Sequence, residues 1–293
     1  MRPMSILSCI GRVKRTNPDR PAWTSDYVFE GYVGDRSGSM RSMGYAPQSS
    51  TRKFIEDKRA KAWLNTGTNS YLTCVTFDDK AEVVFSKDTN KITDNDIYRA
   101  ITSMKPRGLT RFTDTAYETL SDLINRAKKK KAEFRYETRR LQPSITISVA
   151  FMTDGDDNKS IRDPSDLAAL IQELDDSDFK GMVMFMAANM NSSTIGKQYG
   201  IHPENCIDFS SNSDGIENVL RSASNAMTRV SSGMSSGFSQ LERTASQAPS
   251  HGIQRVYSTR LVRSNSIIST NNKPNIGYSS DEDISQRSNT SSV

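Results

Sequence analysis

Ser144–Met152 reads SITISVAFM, a near-continuous apolar run of strand-forming residues. A run of this kind belongs at the centre of a parallel sheet that is covered on both faces. Lys180–Ala188 (KGMVMFMAA) has the same character, with Met182, Met184 and Met186 at period two, where core packing explains them. Such strands need helices around them, and the rest of the chain supplies these.

Tyr27–Val33 (YVFEGYV) and Tyr71–Phe77 (YLTCVTF) read as strands, and Ala81–Phe85 (AEVVF) follows the turn Asp78-Asp79-Lys80 as the second arm of a hairpin. Helical patterns cover Ser49–Leu64, Asp94–Met104, Asp114–Lys131, Pro164–Leu174, Ser193–Tyr199 and Asp214–Val230; Asn205–Phe209 is a short edge strand. In Asp114–Lys131 the residues Ala116, Leu120, Leu123, Ile124 and Ala127 share one face. Strands alternating with helices, apart from one hairpin, predict a Rossmann-like α/β three-layer sandwich. Its central sheet is mostly parallel, with one antiparallel edge strand and helices on both faces.

Only 35% of the 293 residues are hydrophobic, so part of the chain lies outside this core. Residues 1–25 carry five bases and one acid and read as a basic N-terminal arm; residues 26–230 form the domain. Of residues 231–293, 17 are serine and no apolar period is sustained, so this segment is expected to be a disordered tail. The net charge of +5 resides in the flanks and one helix. Residues 26–230 hold 28 bases and 29 acids, although Arg126–Arg140 alone holds eight bases and two acids.

Several function classes are thereby disfavoured. No apolar run approaches the roughly 18–20 residues of a membrane span. Cys9, Cys74 and Cys206 are odd in number and widely spaced, which excludes a disulfide framework and a Cys-x-x-Cys zinc site. They fit a reducing, intracellular and cytoplasmic setting. Two histidines, His202 and His251, leave little for imidazole chemistry. Gly233-Met-Ser-Ser-Gly237 matches a nucleophile elbow but lacks the strand that must precede one.

Ligands of open α/β sheets sit at the carboxyl ends of the strands. Three loops there offer oxygen: Asp35-Arg-Ser37-Gly-Ser39, Gly108-Leu-Thr110, and Thr153-Asp154-Gly155-Asp156-Asp157-Asn158. The alternate spacing of Asp35, Ser37 and Ser39 lets one turn aim three side chains at one point, and Gly38 and Gly155 are expected to allow the tight backbone this needs. Thr110 and Asp154 can converge from neighbouring loops. Two carboxylates and three hydroxyls suit a hard cation, Mg²⁺ or Mn²⁺, rather than zinc. Neutral hydroxyls leave the ion electrophilic, which favours a further carboxylate from a partner. Asp156 and Asp157 read as supporting or solvated loop residues.

With these motifs the chain resembles the von Willebrand factor type A domain over roughly residues 26–230, where DRSGSM, TFDDKAEVVF, GLTRFTDTA and FMTDGDDN all look like family segments. The resemblance implies strand order 3-2-1-4-5-6 and a metal-ion-dependent adhesion site. By it Ser37, Ser39 and Thr110 are hydroxyl ligands, and Asp35 and Asp154 act directly or through water. Gly34 departs from the aliphatic residue that often precedes the Asp, and the third helix is longer and more basic than the pattern.

The function expected is an intracellular, non-enzymatic, Mg²⁺-dependent module that captures an Asp or Glu carboxylate of a protein partner; no general base and no phosphate loop accompany the site. The alternative is an anion-binding or assembly role, such as nucleic-acid association, through the basic arm and Arg126–Arg140, with a structural metal. For that helix the blander reading, a solvated extension paired locally with Glu133 and Glu137, is preferred. Arg243-Thr-Ala-Ser246 and Arg263-Ser-Asn-Ser266 resemble basophilic kinase sites and Ser280-Asp-Glu-Asp283 an acidophilic one. The cluster Asp281–Asp283 can also be imagined docking on the metal as a tethered, autoinhibitory ligand. Oligomeric state is not legible.

Overall fold

The computed structural model describes residues 25–65, 67–137, 142–234 and 237–248, with side chains given for 25–134 of the first two stretches. Six strands form one sheet in the order β3-β2-β1-β4-β5-β6. They are β1 (Tyr27–Asp35), β2 (Asn69–Phe77), β3 (Ala81–Asp88), β4 (Ile145–Thr153), β5 (Lys180–Ala188) and β6 (Cys206–Phe209). Only the β2–β3 hairpin is antiparallel; every other pairing is parallel. The order and the antiparallel edge are those the family resemblance implies.

The strand period divides the core into two halves. Along β4, Ile147, Val149 and Phe151 face one side and Ala150 and Met152 the other. Along β5, Val183, Phe185 and Ala187 face the first side, while Met182, Met184 and Met186 face the second. The three methionines are therefore core residues, as their spacing predicts. Helices α3 (Phe112–Glu137), α4 (Pro164–Asp175) and α5 (Ser192–Gln198) cover the first side. Helices α1 (Ala46–Leu64), α2 (Asp94–Ser103) and α6 (Ser213–Ser231) cover the second. Leu120, Leu123 and Ala127 of α3 are fully buried against the sheet. The second side also contains a buried ion pair, Lys58 Nζ of α1 to Glu30 of β1, with both side chains at most 5% exposed.

Gly34 departs from the usual aliphatic residue for a local reason. A Cβ there would meet the Tyr32 hydroxyl at 2.9 Å and Met104 at 3.1 Å, so the buried tyrosine two residues earlier takes the space a side chain would fill.

Four of the five cations of Arg126–Lys131 are absorbed into the fold; Lys129 is exposed. Arg126 lies over the rings of Phe29 and Tyr71 and donates to the Thr73 and Ser86 hydroxyls. Lys128 pairs with Glu173, Lys130 with Glu133, and Lys131 with Asp178 while covering Phe179. These cations spend their charge and their alkyl stems on the domain itself. The side chains of Arg135, Arg139 and Arg140 lie outside the described residues.

One boundary needs correcting. The ordered fold does not stop at Val230: helix α7 (Gln240–Gln247) packs on α6 and β6. A capping box between Ser239 and Glu242 starts it. Glu242 takes two hydrogen bonds from Arg229 at 2.9 and 3.1 Å, and Arg243 donates to the backbone oxygens of Cys206 and Glu204. Phe238 and Ser246 are buried. This helix is anchored mainly by polar contacts, so it leaves no apolar period to detect; its one large aliphatic residue, Leu241, is 83% exposed. The remainder of the expected tail, like the basic arm, lies outside the described residues.

Candidate metal centre

All three oxygen-bearing loops meet at the carboxyl edge of β1 and β4. Asp35 ends β1 and is fully buried. Its Oδ1 accepts the backbone N–H of Ser37 at 2.6 Å, and its Oδ2 accepts the Thr153 hydroxyl at 2.6 Å. Ser37 then leads into a short 3₁₀ turn, Gly38–Met43, which brings the Ser39 hydroxyl back to 2.9 Å from that of Ser37. Ser39 in turn donates to Asp154 Oδ1 at 2.7 Å. Thr110 reaches the same place from the loop before α3. A methyl group placed on Gly155 would lie 3.5 Å from Ser39 Oγ and 3.7 Å from Thr110 Oγ1, so the absent side chain leaves room between the two loops. The structure thus brings together all five residues singled out from the sequence.

Residues not singled out hold them in place. Asn158 Oδ1 accepts the Thr110 N–H at 3.0 Å, and the Asn158 N–H donates to the Thr110 carbonyl at 3.1 Å. Asp157 clamps the start of α3 by accepting from the Thr113 N–H and hydroxyl at 2.7 and 2.5 Å. It is a supporting residue, as expected, and Asp156 is exposed. Asp114 accepts the N–H groups of Ile161 and Arg162 at 3.1 and 3.0 Å, fixing the far end of the β4–α4 loop. The backbone freedom at the site lies elsewhere than expected: Gly108 takes φ +69°, whereas neither Gly38 nor Gly155 has positive φ.

The two carboxylates are short of counter-charge. Neither Asp35 nor Asp154 enters an ion pair among the described residues; the neighbouring Arg36 turns away to Asp78 and Glu82 at 3.1 and 2.6 Å. Burial pushes the Asp35 carboxyl up to about 6, against the hydrogen bonds from Thr153 and Ser37, and the Asp154 charge raises it further. Burial also raises Asp154, opposed by the bond from Ser39. Two desolvated carboxylates without a counter-charge, joined to a row of hydroxyls, fit a hard divalent cation. Among the described residues no three His, Cys, Asp or Glu side chains cluster as a metal site.

The β3-β2-β1-β4-β5-β6 order, with the three oxygen loops at the carboxyl edge of β1 and β4, decides the architecture. The chain has the fold of a von Willebrand factor type A domain. Several solved structures resemble it. Proximal thread matrix protein 1 of mussel byssus, described with a zinc-occupied MIDAS motif, is 16% identical over 69% of this chain and 46% of its own length, with a TM-score of 0.46. The von Willebrand factor type A protein of Catenulispora acidiphila is 14% identical over 69% and 43%, TM-score 0.46. The vWF domain of a type V pilus tip protein from Porphyromonas gingivalis is 11% identical over 74% and 99%, TM-score 0.45. The match spans less than half the length of the first two proteins. No protein-family model and no curated protein matches the sequence.

Proposed function

We propose that this von Willebrand factor type A domain is an intracellular protein-interaction module. Asp35, Ser37, Ser39, Thr110 and Asp154 would hold Mg²⁺, or Mn²⁺, and the centre would capture an Asp or Glu side chain of a protein partner. The observation that carries this is the unbroken row from Ser37 through Ser39 to Asp154, set beside a buried Asp35 that no cation among the described residues neutralises. When bound, the metal supplies an electrophilic position that a carboxylate can fill. The chain's own residues do the rest. Asp35 and Asp154 supply the negative charge, the hydroxyls add neutral oxygens, and Asn158 and Asp157 keep the Thr110 loop in register with the Asp154 loop.

A binding role is favoured over catalysis because the chemistry of the donor set would be spent on holding a cation; among the described residues no histidine or cysteine acts on Asp35 or Asp154. The buried, unbridged Cys74 and Cys206 support an intracellular setting. No described helix is long and apolar enough to cross a membrane. The alternative through Arg126–Arg140 loses support, since Arg126, Lys128, Lys130 and Lys131 are engaged within the domain.

The test is an affinity pull-down in Mg²⁺ against EDTA, repeated with Asp35→Ala and Ser37→Ala. Capture of a partner that EDTA and both substitutions abolish supports metal-bridged binding. Capture that survives all three sinks it.

A further inference from the structure

Beside the metal centre, at the same end of the sheet, lies a second pocket of about 330 Å³. Its walls are the start of β3, the last turn of α2 and the loop that runs on to Thr110, and Arg36, which directly follows Asp35, lines it. Four cations surround it, Arg36, Arg99, Lys105 and Arg107, with one carboxylate, Glu82.

The charges do not cancel. Arg36 is 97% buried by side chain, its exposure being 3%. Its Nε donates to Asp78, and its Nη1 to Thr76, Glu82 and the Ser103 carbonyl. Nη2 donates to no acceptor among the described residues. Arg107 meets Asp78 at 2.5 Å yet stays 61% exposed. Asp78 and Glu82 therefore balance Arg36 and Arg107. Arg99 and Lys105 are exposed and enter no ion pair among the described residues; the Asp79 charge, which also acts on Arg107, offsets one of them and leaves one positive charge over. The pocket and the metal centre also share walls: the Arg107 N–H donates to the Arg36 carbonyl at 2.8 Å, and the Gly38 N–H to the Gly108 carbonyl at 3.1 Å. A basic pocket locked by backbone bonds to a cation site selects a ligand with more than one negative group.

We propose that this pocket is a second anion subsite, which receives a further carboxylate from the same acidic partner segment whose first carboxylate goes to the metal centre. The subsite draws its partner chemistry from the function proposed above, but its own attraction for anions does not need the metal.

The experiment uses the full chain and two labelled probes: decaglutamate, and a Gly/Ser decapeptide holding a single Glu. Binding is followed by fluorescence anisotropy in Mg²⁺ and in EDTA. Arg99→Glu/Lys105→Glu reverses the two exposed charges; Arg52→Glu/Lys129→Glu makes the same change in net charge on exposed residues elsewhere. In Mg²⁺ the wild type is expected to bind decaglutamate about tenfold or more tighter than the single-Glu peptide. The pocket variant should lose that preference, and the control should keep it within about twofold. Equal losses in both variants, or none in the pocket variant, overturn the subsite. If EDTA leaves the wild type unchanged while the pocket variant still weakens decaglutamate, the subsite stands and metal-bridged capture is what fails.

Discussion

Replacing Asp35 by Asn should make the metal-free protein more stable and the metal-loaded protein less stable than wild type. The carboxyl is buried and its proton is held up to about 6, against 3.8 for the ordinary group. Keeping it ionised above pH 7 in the metal-free fold therefore costs about 3 kcal/mol, at roughly 1.4 kcal/mol per pH unit. The amide is isosteric and neutral. Its oxygen can still accept the Ser37 N–H, and the Thr153 hydroxyl can turn to accept from the new amide N–H, with a loss of about 1 kcal/mol in hydrogen-bond strength. The net gain is about 2 kcal/mol, or roughly 4–8 °C in Tm for a domain of this size. Mg²⁺ at a hundred times its dissociation constant would stabilise the wild type by about 2.7 kcal/mol and leave the variant unmoved. Thermal melts followed by circular dichroism, in EDTA and in Mg²⁺ at pH 7.5, read both effects. A variant that melts below wild type in EDTA, or that keeps the Mg²⁺ shift, refutes the electrostatic account of the site.

The pH dependence follows from the same group. Because its folded value is raised, the metal-free protein gains stability as pH falls from about 6 toward 3.8, whereas Mg²⁺ competes with the proton. The Mg²⁺-induced rise in Tm should be full above pH 7 and shrink through pH 6 to 5; a rise that is flat with pH is the contrary result. Lys58→Met strands the buried Glu30 carboxylate and should cost about 3–5 kcal/mol in urea unfolding, with much of it recovered in the Glu30→Gln/Lys58→Met pair. Truncation after Val230 removes the Arg229–Glu242 pair and the Arg243 contacts and should lower Tm, while truncation after Ala248 should leave it unchanged. The second truncation is also the proper test of autoinhibition by Asp281–Asp283, since the first damages the domain: a tethered ligand predicts tighter partner binding once it is gone, and unchanged affinity dismisses it.

The central strands were legible because burial on both faces leaves an unbroken apolar run, as in Ser144–Met152. The convergence of the three oxygen-bearing loops was legible because their residues are local in sequence within each loop and the strand ends bring the loops together. What could not be read depended on distant partners. Arg36 looks like any charged loop residue, yet it is buried because Asp78 and Glu82 meet it from the hairpin. The lysines of α3 look free for an anionic ligand until Glu173 and Asp178 arrive from the neighbouring helix and turn. Helix α7 carried one readable signal, the Ser239–Glu242 capping box, in a stretch whose serine content argued for disorder. Its packing also disposes of one kinase motif: Ser246 is fully buried and donates to the Glu242 carbonyl, and Arg243 is occupied with backbone oxygens.

The central claim is that five oxygens from three loops make one cation site. Electron paramagnetic resonance of Mn²⁺ titrated into the full chain measures this directly, since bound Mn²⁺ leaves the free-ion signal. The account predicts one bound ion per chain, displaced by excess Mg²⁺, weakened when Thr110→Val removes a single hydroxyl, and lost in Asp154→Asn. Binding that is absent in the wild type, or unchanged by both substitutions, contradicts it.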